Sequence, residues 1–215
     1  MMLALSVAIT VPLLLLVLLV DNAQTRFLLL FFIWGSTAGF LASEINSELL
    51  AVAGISLQAL QIQFAPLVEE LLKAVPLAVL VVVAPKYLRR REIVLAAVFA
   101  GFGFSLVENF SYLIQQQQLS SFALTQYVIT RSVSTTVMHG TATGVIGATV
   151  YYLSGQTLDQ FGFKPLFALY SYCLAVLLHA LFNIVVLFAV LGQTVAILSG
   201  LVSYLVLWVL FRTLH

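Results

Sequence analysis

Seven stretches of this chain, 16 to 28 residues long, are largely apolar. A helix needs roughly 20 such residues to cross a bilayer, and lipid offers no partner for a bare backbone group, so a spanning segment must bond to itself. The stretches are Leu3–Val20, Phe27–Ala42, Phe64–Ala84, Ile93–Ile114, Gln126–Leu153, Pro165–Leu191 and Thr194–Leu214. They lack the period-2 alternation of barrel strands. Of 215 residues 62% are hydrophobic and 8% charged, with mean hydropathy +1.13, whereas a soluble domain carries about 25% charged residues. That excludes a soluble cytoplasmic enzyme, a nucleic-acid binder and a secreted disulfide domain. The lone Cys173 lies in an apolar run and reads as core packing. The expected fold is all-α: a polytopic membrane helix bundle of about seven transmembrane helices, forming one domain over residues 1–215. The first stretch has no basic n-region and no clear cleavage site before Asp21, so it reads as a retained helix rather than a signal peptide.

Basic residues orient the bundle. Lys86, Arg89, Arg90 and Arg91 crowd the connection between spans three and four, which is therefore expected in the cytoplasm of a multi-pass cell-membrane protein. Counting outward, Arg26, Lys164 and Arg212 fall on the same side, while Glu44, Glu48 and Gln115–Gln118 fall outside. The N-terminus is then external and the C-terminus cytoplasmic. Ser43–Gln63 is too polar to span, and is expected as an outer-surface amphipathic helix or an ordered loop.

Ionisable groups sit where lipid should be. Glu69, Glu70 and Lys73 lie in the third span, Glu108 and Asn109 in the fourth, Arg131 and His139 in the fifth, His179 and Asn183 in the sixth. Each charge at a helix centre costs about 2.5–3.5 kcal/mol on insertion scales, so such groups are expected to meet in a polar interior and to be functional. Lys73 is three residues from Glu70 and four from Glu69, and can neutralise either. The two glutamates differ by about 100° around the axis, so they are not expected to face one point. Arg131, Thr135 and His139 form a stripe along one helix face; Thr135 and Ser105 read as packing residues. Asn109, Lys73 and Arg131 read as supporting residues. At about 1.5 Å per residue, Glu69 lies roughly 8 Å from its outer span end, Glu108 roughly 10 Å, and His139 and His179 roughly 18 Å.

Glutamate and histidine together can deprotonate a water and deliver it to a carbonyl, with Asn183 and a histidine donating to the oxyanion. No G-x-S-x-G or H-E-x-x-H occurs, and the only aspartates, Asp21 and Asp159, lie between spans, which excludes a G-x-G-D centre. A divalent metal such as zinc is an open alternative, with Glu108, His139 and His179 as ligands and Glu69 or Glu70 as base. Nearby Lys73 and Arg131 disfavour a dication, so the balance leans to no tightly bound metal.

Glu69-Glu70-Leu71-Leu72-Lys73 resembles the E-E-x-x-K motif of the PrsW family of bacterial membrane proteases. Gly101-Phe102-Gly103-Phe104-Ser105-Leu106-Val107-Glu108-Asn109, with Tyr112 after it, resembles that family's second motif. Arg131 with Met138-His139-Gly140 resembles the third, and His179-Ala180-Leu181-Phe182-Asn183 the fourth. The resemblance implies a superfamily shared with type II CAAX prenyl proteases and the scaffold subunit of gamma-secretase. Prenyl proteases carry E-E-x-x-x-R and a second motif ending in His; Lys73 and Glu108 here favour PrsW. By that analogy Glu69 is the base, and His179 with Asn183 holds the oxyanion. The implied substrate is a single-span membrane protein such as an anti-sigma factor, cut near the outer face. Two rival readings are a non-catalytic membrane scaffold, against which the costly double glutamate argues, and an ion- or proton-coupled transporter, for which no inverted repeat is seen.

Overall fold

In the computed structural model, residues 2–84, 91–116, 118–154, 164–188 and 192–213 are described. Lys86, Arg89, Arg90, Gln117, Asp159, Leu191 and Leu214, all invoked above, lie outside the described residues. Among those described, the structure is helical: α1 (Met2–Leu19), α2 (Ala23–Ala53), a single turn α3 (Leu57–Ala59), α4 (Ala65–Val83), α5 (Glu92–Gln115), α6 (Ser121–Ser154), α7 (Lys164–Phe188) and α8 (Gly192–Thr213). The seven long helices coincide with the seven apolar stretches. Ala23–Ala53, Glu92–Gln115 and Leu166–Leu187 are each long and apolar enough to cross a membrane by themselves. Helix α4 carries Glu69, Glu70 and Lys73, and all three side chains are buried within the bundle.

Helix α5 is central, packed between α2 and α6. Its Ile93, Val94, Ala96, Ala97 and Ala100 have no exposed surface. Small residues make the approach close enough to exclude lipid. A Cβ on Gly101 would run into the backbone at His139 and Gly140, and one on Gly103 into the Phe32 carbonyl. Gly101 thus sets how near α5 comes to the α6 turn that bears His139. Ser36 Oγ donates across the α2–α5 contact to the Gly103 carbonyl at 3.2 Å. The outer faces of α7 and α8 expose Leu177, Leu181, Leu198, Leu201, Leu205 and Trp208, as a lipid-facing surface must. Cys173 is on such a face: it is exposed, not core. An apolar run cannot separate the two, because in a membrane both the packed and the lipid-facing sides of a helix are apolar.

Ser43–Gln63 is neither a separate surface helix nor a loop. Helix α2 runs on to Ala53, and Gly54 ends it in the left-handed conformation (φ 60°, ψ 22°). Ser56 then caps the next helix, its Oγ accepting from Ala59 N–H at 3.1 Å. From Leu57 the chain is helical through α3 and a π-helical turn (Leu60–Phe64) into α4. The third span therefore begins further out than hydropathy indicates. Counted from Leu57, Glu69 lies about 18 Å along the helix, at the depth expected for the histidines.

Prolines leave carbonyls unpaired in this fold, and side chains take them up. Pro76 in α4 has no N–H for the Leu72 carbonyl one turn earlier. Trp34 Nε1 of α2 donates to that carbonyl at 2.8 Å. Near the π-helical turn, Ala65 N–H bonds to Leu60 O, and Pro66 has no N–H to offer Gln61 O. Asn183 Nδ2 of α7 donates to Gln61 O at 2.8 Å. Backbone groups freed inside a membrane have to be re-satisfied in this way.

Candidate active site

The intramembrane polar residues form one connected chain across α2, α4, α5, α6 and α7. Lys73 lies at its middle, fully buried, with Nζ 2.6 Å from Glu70 Oε1 and 2.9 Å from His139 Nδ1. The ring of Phe104 covers Nζ at 4.6 Å. Of the two carboxylates the lysine can reach, it takes Glu70. Glu70 Oε1 also meets His179 Nδ1 at 2.9 Å, and Thr143 donates to Glu70 Oε2 at 3.5 Å.

His179 Nε2 faces Glu69 Oε2 at 3.7 Å. Both glutamates therefore do meet one point, contrary to the expectation from their angular separation. An imidazole presents its nitrogens on two edges, and His179, inserted from α7, spans the gap between carboxylates on neighbouring faces of α4. Glu69 Oε1 accepts from Asn46 Nδ2 at 3.3 Å, whereas Glu69 Oε2 is buried without a hydrogen-bond partner.

On the other side His139 Nε2 lies 3.0 Å from Glu108 Oε2, and Arg131 Nη2 lies 3.0 Å from Glu108 Oε1. The Arg131 guanidinium stacks on the Tyr112 ring at 3.4 Å. The rings of His139 and His179 stand edge to face, their centroids 4.8 Å apart. Thr135 donates to Asn109 Oδ1 at 2.9 Å, and Ser105 to Thr136 Oγ1 at 2.9 Å, so both hydroxyls tie α5 to α6 and do more than fill space. Arg131 Nε and Asn46 Oδ1 are the other buried side-chain atoms without a partner among the described residues.

A cavity of about 260 Å³ reaches this chain of groups, lined by Gln61, Glu108, Tyr112, Arg131 and Asn183 among others. All nine residues singled out from sequence thus lie in or beside one site. Asn109 joins it through the hydrogen bond from Thr135. Asn46, Gln61 and Thr143 are additional. Asn46 and Gln61 come from Ser43–Gln63, where a polar composition gives no signal that the chain folds back as helix over the site.

Among the described residues, the groups that can hold a divalent ion are Glu69, His139 and His179, each offering one atom, all within 4.8 Å of one another. This corrects the set Glu108, His139 and His179. Both Glu108 oxygens are engaged, one by Arg131 and one by His139. Two imidazoles and a carboxylate are a donor set that zinc takes in hydrolytic centres. Glu69 Oε2 and His179 Nε2 fit directly, since neither has a hydrogen bond to give up and Glu70 orients the far edge of the His179 ring, as outer carboxylates do for ligating histidines. His139 has both ring nitrogens engaged.

Apolar helices closed around a buried carboxylate–histidine centre with a reachable cavity define an integral membrane enzyme of hydrolytic type. Residues 23–212, nearly the whole chain, match the PrsW-protease family, described as PrsW family intramembrane metalloprotease. The chain belongs to that family, and it is a membrane protease. The family description brings a metal into the account, where the sequence alone leaned against a tightly bound one. No curated protein and no solved structure matches the chain.

Proposed function

We propose that this protease is an endopeptidase that cuts a single-span, membrane-anchored protein of the anti-sigma-factor kind near the outer face of the cell membrane, using water activated at Glu69 and His179. The observation that carries this is the unpartnered Glu69 Oε2 facing His179 Nε2 at 3.7 Å in a buried polar centre. A general base must lie within hydrogen-bond reach of its proton or one water away, and this gap is of that size.

Glu69 takes a proton from water as the water oxygen bonds to the scissile carbonyl carbon. Asn183, whose second N–H is not used by Gln61, donates to the oxyanion from the cavity wall. The C–N bond then breaks, and the proton passes to the leaving nitrogen. Glu70 and Lys73 hold the His179 ring in place throughout. A divalent ion such as zinc would be held by Glu69 and His179, with Glu69 then a ligand in place of a base, and would supply a water of lowered pKa and polarise a carbonyl.

The external N-terminus and cytoplasmic C-terminus remain the orientation favoured by the basic residues. Arg26 at the start of α2 and Glu92 at the start of α5 line one cavity with Val79 and Leu80 from the end of α4, so these three helix ends share a side. Gln61, Tyr112 and Asn183 lie toward the other.

Purified protein in detergent or vesicles, incubated with single-span candidate substrates, tests the proposal. Cleavage on the external side of the substrate span is expected, abolished by Glu69→Gln, lost on chelation and restored by zinc. Cleavage at full rate by Glu69→Gln overturns the mechanism; full activity after exhaustive chelation removes the metal and leaves Glu69 as a metal-free base.

A further inference from the structure

The two buried histidines have different partners, and the partners fix their protons. An ammonium group has donors and no acceptor. Lys73 Nζ at 2.9 Å therefore requires a bare lone pair on His139 Nδ1. The ring proton is then on His139 Nε2, where it donates to Glu108 Oε2 at 3.0 Å. Glu108 is kept an acceptor by Arg131 at 3.0 Å. On the opposite side, Glu70 is paired with Lys73 at 2.6 Å and accepts from His179 Nδ1–H at 2.9 Å. That leaves a bare lone pair on His179 Nε2, directed at Glu69.

We infer that the Glu70–Lys73 pair sets His139 and His179 in opposite tautomers, so that His179 alone presents a free ring nitrogen to water or a metal, and His139 is a positioning residue that joins Lys73 to Glu108. This deepens the proposed hydrolytic site, and its catalytic meaning rests on that reading. The tautomers rest on the hydrogen bonds alone, and are tested apart from cleavage. The three-residue set within 4.8 Å thus reduces to Glu69 and His179 while Lys73 holds His139.

The chain contains three histidines, His139, His179 and His215, so ring-nitrogen spectra of the full-length protein with 15N-labelled histidine can be assigned one by one. In metal-free micelles His139 is expected with its proton on Nε2 and His179 with its proton on Nδ1. The same tautomer in both, or a proton on His139 Nδ1, overturns the inference. Added zinc should move the His179 Nε2 resonance and leave both His139 nitrogens in place; a metal-bound shift on His139 overturns it equally. Lys73→Met should shift the His139 Nδ1 resonance, which loses its donor, while Nε2–H stays bonded to Glu108; an unchanged Nδ1 resonance there removes Lys73 as its partner. If that variant does not fold, the wild-type spectra still decide the assignment. Glutamine can accept at one atom and donate at the other, as the bridging imidazole does. His139→Gln should therefore recover at least tenfold of the turnover lost in His139→Leu, whereas equal loss in the two contradicts a bridging role. Failure of every variant and of the wild type to cleave any substrate would instead strike at the endopeptidase reading and leave the spectra standing.

Discussion

His139 and His179 lie side by side, both buried, yet their surroundings differ. Around His139 the imidazole is saturated: Lys73 on one nitrogen, Glu108 on the other, with Arg131 closing the far end. Around His179 one nitrogen is held by Glu70 and the other faces a carboxylate oxygen that bonds to nothing. A buried polar atom left without a partner is costly and requires a reason. The saturated His139 ring is architecture that lets charges exist within apolar helices, and the open His179–Glu69 pair is where a water or ion has something to bind.

The largest expected effects fall on the unsaturated side. Glu69→Gln and His179→Ala should each lower turnover by about 10²–10⁴, the range for losing a general base, without loss of membrane insertion. Cleavage of a single-span substrate by purified protein measures this, with insertion judged by detergent-solubilised yield. Near-wild-type turnover by His179→Ala would dissolve the distinction between the two histidines. Asn183→Ala should lower turnover by up to about 10²–10³, as for a lost oxyanion donor, and also free the Gln61 carbonyl.

Next comes the saturated side, where the effect should appear in stability first. Arg131→Met leaves Glu108 without its cation. Breaking a fully buried pair costs about 3–5 kcal/mol, and a loss of about 1–3 kcal/mol is expected here because the Arg131 and Glu108 side chains keep 15% and 22% exposure. Thermal unfolding in detergent reads this, and adding Glu108→Gln to Arg131→Met should recover part of it. A variant as stable as wild type but inactive would place Arg131 in the chemistry instead.

Much of this site was legible in the sequence because charge in an apolar run is so costly that each instance points inward. Glu69, Glu70, Lys73, Glu108, Arg131, His139 and His179 were found that way, with the polar Asn183 one turn from His179, and helix arithmetic put Lys73 in reach of either glutamate without choosing Glu70. The pairing across helices was not legible. Nothing in residue spacing says that Glu108 bonds His139 rather than a metal, because those contacts depend on helix rotation and on how near Gly101 lets α6 approach. The extent of α4 was hidden for a different reason. Gln61 and Gln63 lower the hydropathy of a segment that is helical but lies at the polar end of the bundle, and the cap at Ser56 is visible only once the helix direction is known.

The smallest effect on turnover is expected at the contact between α2 and α4. The Leu72 carbonyl, orphaned by Pro76, is taken by Trp34, as Gln61 is taken by Asn183 beside the site. Both bonds do the same structural work, so the pair separates architecture from chemistry directly. Trp34→Phe should cost about 1–3 kcal/mol through an unsatisfied buried acceptor, with turnover close to wild type. Pro76→Ala supplies an N–H to Leu72 within the helix, so Trp34→Phe should cost less in that background than alone. The coupling between the two substitutions in a double-mutant cycle measures the bond itself. Additive costs would show that Trp34 acts by packing and not through the Leu72 carbonyl. A drop in turnover for Trp34→Phe comparable to that for Asn183→Ala would show that α4 transmits strain from the Pro76 turn to Glu69, and the line between the two regions would have to be redrawn.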